Sequence, residues 1–232
     1  MTRIKPRCTT CRISGTCLLK YCGKEVLEDI SHEKSTLSFR KGDYLMKEGG
    51  HARGFYCVRT GVVKSELQDS QRNLIIGLHG KGTIFGQRIV DGKDKDAISV
   101  RAVEDAEACH ITAEKFLKLM AKHPSLKLQM MKALTEELEH LEKRTLHLVY
   151  KSVKTRVAGA LIHIAGIYQY KKAGHSIHIH LDRQDIADLT GTTKEQISHI
   201  LAEFKQAGLI NFRARHFKFF DLEGLSAFTS GS

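Results

Sequence analysis

The spacing of hydrophobic and polar residues changes once along the chain. Residues 37–111 contain short alternating runs, "LSFRKGDYLMKEGG", "GFYCVRTGVVKSEL" and "NLIIGLHGKGTIFG", which are separated by glycines. Such runs are typical of the strands of a sandwich, barrel or roll. From Thr112 the spacing becomes helical: a short amphipathic segment is followed by a longer one that Pro124 opens. The pattern therefore predicts an α+β chain in which a β domain precedes the helices.

The longer predicted helix carries a narrow apolar seam whose members recur in alternating steps of three and four. Glutamates and a lysine flank it. This heptad spacing is typical of two helices that pack along each other. We interpret the seam as a dimer interface between two copies, in preference to packing within one domain. The predicted interface residues are Met131, Leu134, Leu138, Leu141, Thr145 and Leu148.

The stretch "LDRQDIADLTGTTKEQISHILAEFKQAGLI" has the most specific pattern in the chain. Asp182 is placed to cap a first helix, and Gly191 is placed to make a turn. Thr192 and Glu195 have the spacing of a capping box at the start of a second helix. These are the features of a helix-turn-helix, whose second helix enters the DNA major groove. The predicted buried face of that second helix is Ile197, Leu201 and Phe204.

The start of the second helix carries groups that match base edges. Glu195 can accept a hydrogen bond from the cytosine amino group, Ser198 can bond to most base edges, and His199 can donate to guanine. The following "LINFRARHFKFFDL" alternates as a β-hairpin wing with cations suited to phosphates. The candidate DNA-contacting residues are Arg183, Gln184, Thr193, Lys194, Glu195, Ser198, His199, Arg213, Arg215 and Lys218.

The chain has 232 residues and a formal net charge of +11, which favours a polyanionic partner and nucleic acid first. Residues 182–232 nevertheless hold six basic and seven acidic side chains. Phosphate affinity is therefore expected from the wing and from the basic helix start at 151–156.

The chain has no membrane-length apolar run and no signal-like N-terminus. It is therefore expected to be cytoplasmic, to have no membrane partner and to keep its thiols reduced. The sequence contains no nucleophile–base set, phosphate loop or metalloprotease motif, so an enzyme is not expected.

Four of the six cysteines fall within "CTTCRISGTCLLKYC", residues 8–22. By themselves they allow a tetrahedral zinc site, a redox-active thiol set without metal, or no binding at all. The neighbouring cations Arg7, Arg12 and Lys20 favour thiolates. Cys57 lies within a strand pattern and is interpreted as a small buried hydrophobe.

The glycine-punctuated strands, the heptad helix and "DRQDIADLTGTTKEQISHIL" together resemble the CRP/FNR transcription regulators over essentially the whole chain. The resemblance implies a β-roll sensor domain like those that bind cyclic nucleotides, a long dimerisation helix and a C-terminal winged helix-turn-helix. It also implies a homodimer on palindromic promoter DNA, with RNA polymerase as a partner. The expected divisions are a cysteine-rich cluster-binding segment at 1–24, the sensor domain at 25–123, the dimerisation helix at 124–150 and the DNA-binding domain at 151–232.

The spacing of Cys8, Cys11 and Cys17 resembles the cluster motif of the FNR branch. In that branch a fourth cysteine lies near the end of the roll, and Cys109 is at the matching place. The resemblance implies a [4Fe–4S] cluster on these four thiolates that senses oxygen, nitric oxide or redox state. Cys22 remains an alternative fourth ligand. The alternative function is a regulator that responds to another small ligand or to thiol oxidation, with zinc or no metal on the cysteines.

Three positions depart from the family pattern. His199 stands where the family's reading helix usually has an arginine, so a different DNA half-site is expected. Leu141 stands where the FNR branch has an acid in the seam, so the dimer is expected to persist without the cluster. The stretches "GTIFGQ" and "KDKDAISV" lack the acid and the arginine that hold a cyclic nucleotide, so cAMP binding is not expected.

Overall fold

The protein forms two compact units, which consist of residues 1–65 with 79–140 and residues 66–78 with 141–232. Its structure is a computed structural model that describes residues 7–11, 17–69, 72–88, 95–170, 173 and 176–230. Strands dominate the first unit, and helices with a small sheet make up the second. The predicted α+β class, with a β domain before the helices, is confirmed.

From residue 24 to residue 122 the chain runs from helix α1 (Lys24–Glu33) through strands to helix α2 (Ala113–Lys122), and residues 66–78 of this stretch belong to the second unit. The strands are β1 (Ser35–Phe39), β2 (Tyr44–Met46), β3 (Gly54–Thr60), β4 (Val63–Asp69), β5 (Arg72–His79), β6 (Ile84–Phe85), β7 (Ser99–Ala102) and β8 (Ala106–Thr112). They form two four-stranded sheets, ordered β1-β8-β3-β6 and β2-β7-β4-β5. These two sheets are the predicted roll.

Strand β3 is buried on both faces because successive side chains alternate between two cores. Phe55 and Cys57 contribute to the core that includes α1 and α2. Tyr56 and Val58 contribute to the core within the roll. Since β3 pairs antiparallel with β8, Cys57 lies directly opposite Cys109. The register thus places two cysteines from distant parts of the sequence side by side.

The long helix α3 (Pro124–Tyr150) has 27 residues and begins at the predicted proline. Leu126, Met130 and Ala133 are buried in the same core as Cys57. The first part of α3 is therefore packed against the roll side that carries the cysteines.

The second unit is a winged helix-turn-helix domain. Its elements are α4 (Val153–Ile167), β9 (Ser176–His178), α5 (Arg183–Thr190), α6 (Lys194–Gln206), β10 (Ile210–Arg213), β11 (His216–Phe219) and α7 (Leu222–Ser230). The strands form a sheet in the order β10-β11-β9. The predicted buried face of α6, which is Ile197, Leu201 and Phe204, is buried. Among the helices that these described ranges contain, none has the length and apolar character needed to cross a bilayer.

The caps of α5 and α6 fix the helix-turn-helix geometry. Asp182 accepts a hydrogen bond from the Asp185 N–H at 2.9 Å, and the Asp185 carboxylate accepts one from the Asp182 N–H at 3.0 Å. The predicted capping box of Thr192 and Glu195 is wrong by one residue, since the Thr193 hydroxyl caps α6 by accepting from the Gln196 N–H. Thr192 donates its own N–H to Ala187 O at 3.0 Å and so still belongs to the end of α5.

Candidate thiol centre and nucleic-acid interface

One cavity in the first unit brings five thiols together. Three of them come from the N-terminal segment, and the other two come from β3 and β8. The cysteines that line the cavity are Cys8, Cys11, Cys17, Cys57 and Cys109. All four predicted cluster ligands are among them. Cys57 is the member that the sequence pattern did not reveal, because only the β3–β8 register places it there.

Helix α1 positions Cys8 through a hydrogen bond to its backbone. Cys8 starts a 3₁₀ turn, and its N–H donates to Ser31 Oγ at 2.8 Å. The Ser31 hydroxyl in turn donates to Leu27 O at 2.6 Å. Cys17 precedes a second 3₁₀ turn, in which the Lys20 N–H donates to Cys17 O at 3.0 Å. Two short turns therefore hold the segment's thiols toward the roll.

A buried lysine lies inside this cavity. Lys34, at the end of α1, is only 2% exposed, and its Nζ donates to Cys8 Sγ at 3.0 Å. Burial opposes its charge, yet the hydrogen bond to Cys8 and the neighbouring thiols Cys109 and Cys11 raise the pKa of Lys34. A buried ammonium is costly unless negative charge compensates it. The cavity is therefore suited to hold thiolates.

Lys34 joins the cations that lie near the cysteines in sequence. Arg7 is exposed, and Arg12 lies outside the described residues. Lys20 lines the cavity and, although exposed, has a charge that acts with the Cys57 hydrogen bond to lower the pKa of Cys17. No pattern in the sequence indicates Lys34, because the fold brings it beside Cys8 from 26 positions away.

Cys17 and Cys57 are in direct contact, with their sulfurs 3.5 Å apart. The hydrogen bond with Cys57 lowers the pKa of Cys17 to about 7, although burial acts in the opposite direction. The same hydrogen bond and then burial raise the pKa of Cys57. Either sulfur can be the donor in this contact. Burial also raises the pKa of Cys109.

Cys22 lies apart from the other N-terminal thiols. It is 5% exposed within the apolar core and is absent from the cavity lining. Burial, followed by the charge of Cys17, raises the pKa of Cys22 to about 11. A zinc ion bound by four thiolates at about 2.3 Å requires sulfurs about 3.8 Å apart. Within the part of the chain that the structure describes, no group of three His, Cys, Asp or Glu side chains is arranged to hold a metal ion.

The predicted DNA-contacting residues of α5 and α6 are all exposed: Arg183, Gln184, Thr193, Lys194, Glu195, Ser198 and His199. Hydrogen bonds from its own backbone N–H and from the Thr193 hydroxyl lower the pKa of Glu195. Glu195 is therefore an ionised acceptor at neutral pH, as contact with a cytosine amino group requires. His199 Nδ1 lies 2.9 Å from Glu203 Oε1, one turn further along α6.

The wing presents its three predicted cations to solvent: Arg213, Arg215 and Lys218. The hairpin is held against the helices by Phe212, whose ring lies 5.5 Å from the guanidinium carbon of Arg183 and 5.5 Å from Lys205 Nζ. One cation of α5 and one of α6 thus meet at this half-buried ring of the wing. Such a patch can follow a phosphate backbone.

Two cations of the stretch 151–156, from which phosphate contacts are expected, have partners within the domain. Arg156 donates to Lys151 O at 2.7 Å and to Thr190 O at 2.8 Å, so it holds the end of α5. Lys154 pairs with Glu203 at 2.6 Å. The expected phosphate contacts of this stretch stay a prediction.

Arg144 is a half-buried cation that the sequence pattern did not indicate. It lies between seam positions on α3 and donates to Ile75 O at 2.6 Å and to Leu189 O at 2.9 Å. Its guanidinium thereby joins β5, α3 and α5 within the second unit. Carbonyl acceptors from distant segments leave no pattern in a sequence.

The predicted seam of α3 is largely uncovered in the single chain. Met131 is 64% exposed and Leu138 is 56% exposed. Leu134, Leu141 and Leu148 are half-buried, whereas Thr145 is exposed. Large apolar side chains on one exposed helix face are typical of a surface that meets another protein.

Comparisons with known proteins agree with this architecture. The "Cyclic nucleotide-binding domain" family matches residues 36–123, and the "Crp-like helix-turn-helix domain" family matches residues 155–228. The chain is 25% identical to the "Transcriptional activator protein FnrA" of Stutzerimonas stutzeri, over 97% of this chain and 93% of that protein. It is 26% identical to the "Fumarate and nitrate reduction regulatory protein" of Escherichia coli K12, over 90% and 84%. The solved structure of FixK2 from Bradyrhizobium japonicum is similar with a TM-score of 0.76 and 24% identity, and the match covers 86% of this chain and 98% of that one.

Proposed function

Because the chain belongs to the CRP/FNR family of transcription regulators, we propose that it senses oxygen, nitric oxide or redox state through a [4Fe–4S] cluster. The family binds DNA through the helix-turn-helix, and its members are regulators and not enzymes. We further propose a homodimer that binds palindromic promoter DNA and contacts RNA polymerase there. One observation carries the cluster proposal: the four matching thiols line one cavity that also contains the buried Lys34.

The donor set fits such a cluster. Cys8, Cys11, Cys17 and Cys109 would hold it, since thiolates are the usual ligands of iron–sulfur clusters. When bound, the cluster supplies redox chemistry that reacts with oxygen or nitric oxide. Lys34 offsets the negative charge of the thiolates from within the cavity. Cys22, which lies in the apolar core, is not assigned as a ligand.

The four ligands come from two parts of the fold. Cys8, Cys11 and Cys17 belong to the N-terminal segment, whereas Cys109 belongs to β8. A shared centre therefore fastens that segment to the roll. The core beneath it includes Met130 of α3. We propose that release of the thiols loosens this core and changes the packing of α3, which biases the dimer between two states of DNA affinity.

We propose that a cyclic nucleotide is not the signal. The core within the roll is filled by large side chains, including Leu45, Tyr56, Val58 and Phe85. "GTIFGQ" supplies no acid to a ligand there. The second expected element includes residues 93 and 94, which lie outside the described residues.

Replacing Lys34 with methionine is expected to shorten the lifetime of the bound cluster about 10-fold or more, because a charge-assisted hydrogen bond contributes about 1.5–3 kcal/mol. The measurement is the rate of iron loss to a chelator under anaerobic conditions. Lys24→Met, an exposed change on the same helix, is the control. In the metal-free protein the thermal midpoint of Lys34→Met should not fall, since an apolar group replaces a buried charge. Equal iron loss in wild type and Lys34→Met would contradict the proposed role.

The seam predicts that the metal-free protein remains a dimer at micromolar concentration in analytical ultracentrifugation. Leu138→Glu should raise the dimer dissociation constant at least ~100-fold, because a buried unpaired charge costs about 3–5 kcal/mol. Leu146→Glu is the matched control, since Leu146 is also 56% exposed but lies off the seam. A metal-free wild type that sediments as a monomer would contradict the interface.

A further inference from the structure

The contact between Cys17 and Cys57 has no role in the proposed cluster site, because Cys57 is not one of the four assigned ligands. Their sulfurs are 3.5 Å apart, and a disulfide bond is about 2.05 Å long. An approach of about 1.5 Å would therefore join them. Both residues are buried, at 8% and 4% exposure, so the pair is a fixed part of the fold and not a surface encounter.

The two backbones differ in how firmly they are held. Cys57 sits in the middle of β3 and pairs with Ile84 on one side and with Cys109 on the other. Cys17 lies outside regular structure, immediately before the turn Leu18–Tyr21. Formation of a disulfide therefore requires the chain around Cys17 to move, and the sheet that contains Cys57 stays intact.

We propose that Cys17 and Cys57 form a reversible disulfide in the cluster-free protein when a hydroperoxide is present. In the first step the Cys17 sulfur attacks a peroxide oxygen, the O–O bond breaks, and a sulfenic acid and an alcohol (or water) are formed. In the second step the Cys57 sulfur attacks the Cys17 sulfur, the S–O bond breaks and water leaves. The two thiols lose two electrons and two protons in total, and the hydroperoxide accepts them.

The cavity gives the oxidant a place to react. Cys17 lines it together with the half-buried Cys8, Cys11 and Cys109, so the cavity is not sealed from solvent. Peroxides of small size suit such a site. A long or protein-bound oxidant does not reach a sulfur that is 8% exposed.

The disulfide has a consequence for the cluster, and this consequence alone rests on the proposed function. Cys17 cannot be a thiolate ligand and a disulfide partner at once. Disulfide formation and cluster assembly therefore exclude each other. Peroxide would keep the protein in its cluster-free state until a thiol reductant restores Cys17, which adds a second signal to the one that the cluster senses.

The test uses the full chain in its metal-free, fully reduced form. Stoichiometric hydrogen peroxide is added anaerobically, remaining thiols are alkylated, and the peptides are mapped by mass spectrometry. We expect loss of two of the six thiols and a peptide pair joined through Cys17 and Cys57, which a dithiol reductant reverses. Cys22→Ala should give the same product, since Cys22 lies outside the cavity.

Cys57→Ala separates this proposal from the cluster proposal. It should abolish the disulfide while the protein still takes up iron and sulfide on reconstitution, which also shows that the variant folds. Peroxide-treated wild type should fail to take up the cluster until it is reduced. A disulfide that joins another pair, or an unchanged two-thiol loss in Cys57→Ala, would overturn the proposal. Failure of every protein to bind iron would count against the cluster and leave the mapped disulfide standing.

Discussion

Replacing Cys109 with alanine is expected to abolish iron–sulfur binding, from about four iron atoms per chain to nearly none. Cys109 is the only assigned ligand that lies outside the N-terminal segment. Without it, three thiolates close together in sequence have to hold the cluster alone. Loss of groups that only support metal ligands already costs about 10- to 100-fold in affinity, and loss of a ligand costs more. Iron and acid-labile sulfide, measured on anaerobically purified protein, report the result.

Cys22→Ala is the matched control for this prediction. Cys22 is buried in the apolar core beside the cavity, so its removal should leave the iron and sulfide content unchanged. Its effect should be a modest loss of stability of about 1 kcal/mol, as for the removal of other small buried groups. Retention of the cluster by Cys109→Ala together with its loss in Cys22→Ala would reverse the assignment of the fourth ligand.

Replacing Glu195 with alanine is expected to remove most of the discrimination between the specific palindrome and unrelated DNA. A good base-edge contact contributes about 1–3 kcal/mol of discrimination, and a dimer makes it twice. The expected loss is therefore about 2–6 kcal/mol, or roughly 30-fold to 10⁴-fold in the affinity ratio. Titration of both DNAs at fixed salt measures it.

Two further variants test whether the loss of discrimination is specific to a base contact. Glu223→Ala makes the same charge change in the first turn of α7 and should leave the ratio unchanged. Lys218→Ala should weaken binding to both DNAs about equally and lower the salt dependence by roughly two units, since each protomer loses one phosphate contact. Unchanged discrimination in Glu195→Ala would mean that α6 does not read bases through this residue.

Sequence patterns that span only a few residues were sufficient to predict the architecture and much of the DNA-binding unit. Asp182, Pro124 and the apolar face of α6 act over a few residues, so their spacing alone indicates their place in the fold. The cap of α6 shifted by one residue because Thr192 completes the end of α5 through Ala187 O. Either of the two adjacent threonines can cap a helix, and the geometry of the turn determines which of them caps α6.

The residues that sequence reasoning missed are those whose role depends on distant partners. Cys57 reaches the thiol cavity through the β3–β8 register, and Lys34 reaches it through the end of α1. Arg144 and Arg156 donate hydrogen bonds to backbone carbonyls inside the second unit. A count of charges or cysteines along the chain cannot distinguish such buried roles from exposed ones.

The most direct test of the account is the iron and acid-labile sulfide content of the wild-type protein purified without oxygen. The account predicts about four atoms of each per chain. Both should be lost in air, and the affinity for palindromic DNA should change with them. A protein that contains zinc instead of iron, or no metal after reconstitution with iron and sulfide, would contradict the account.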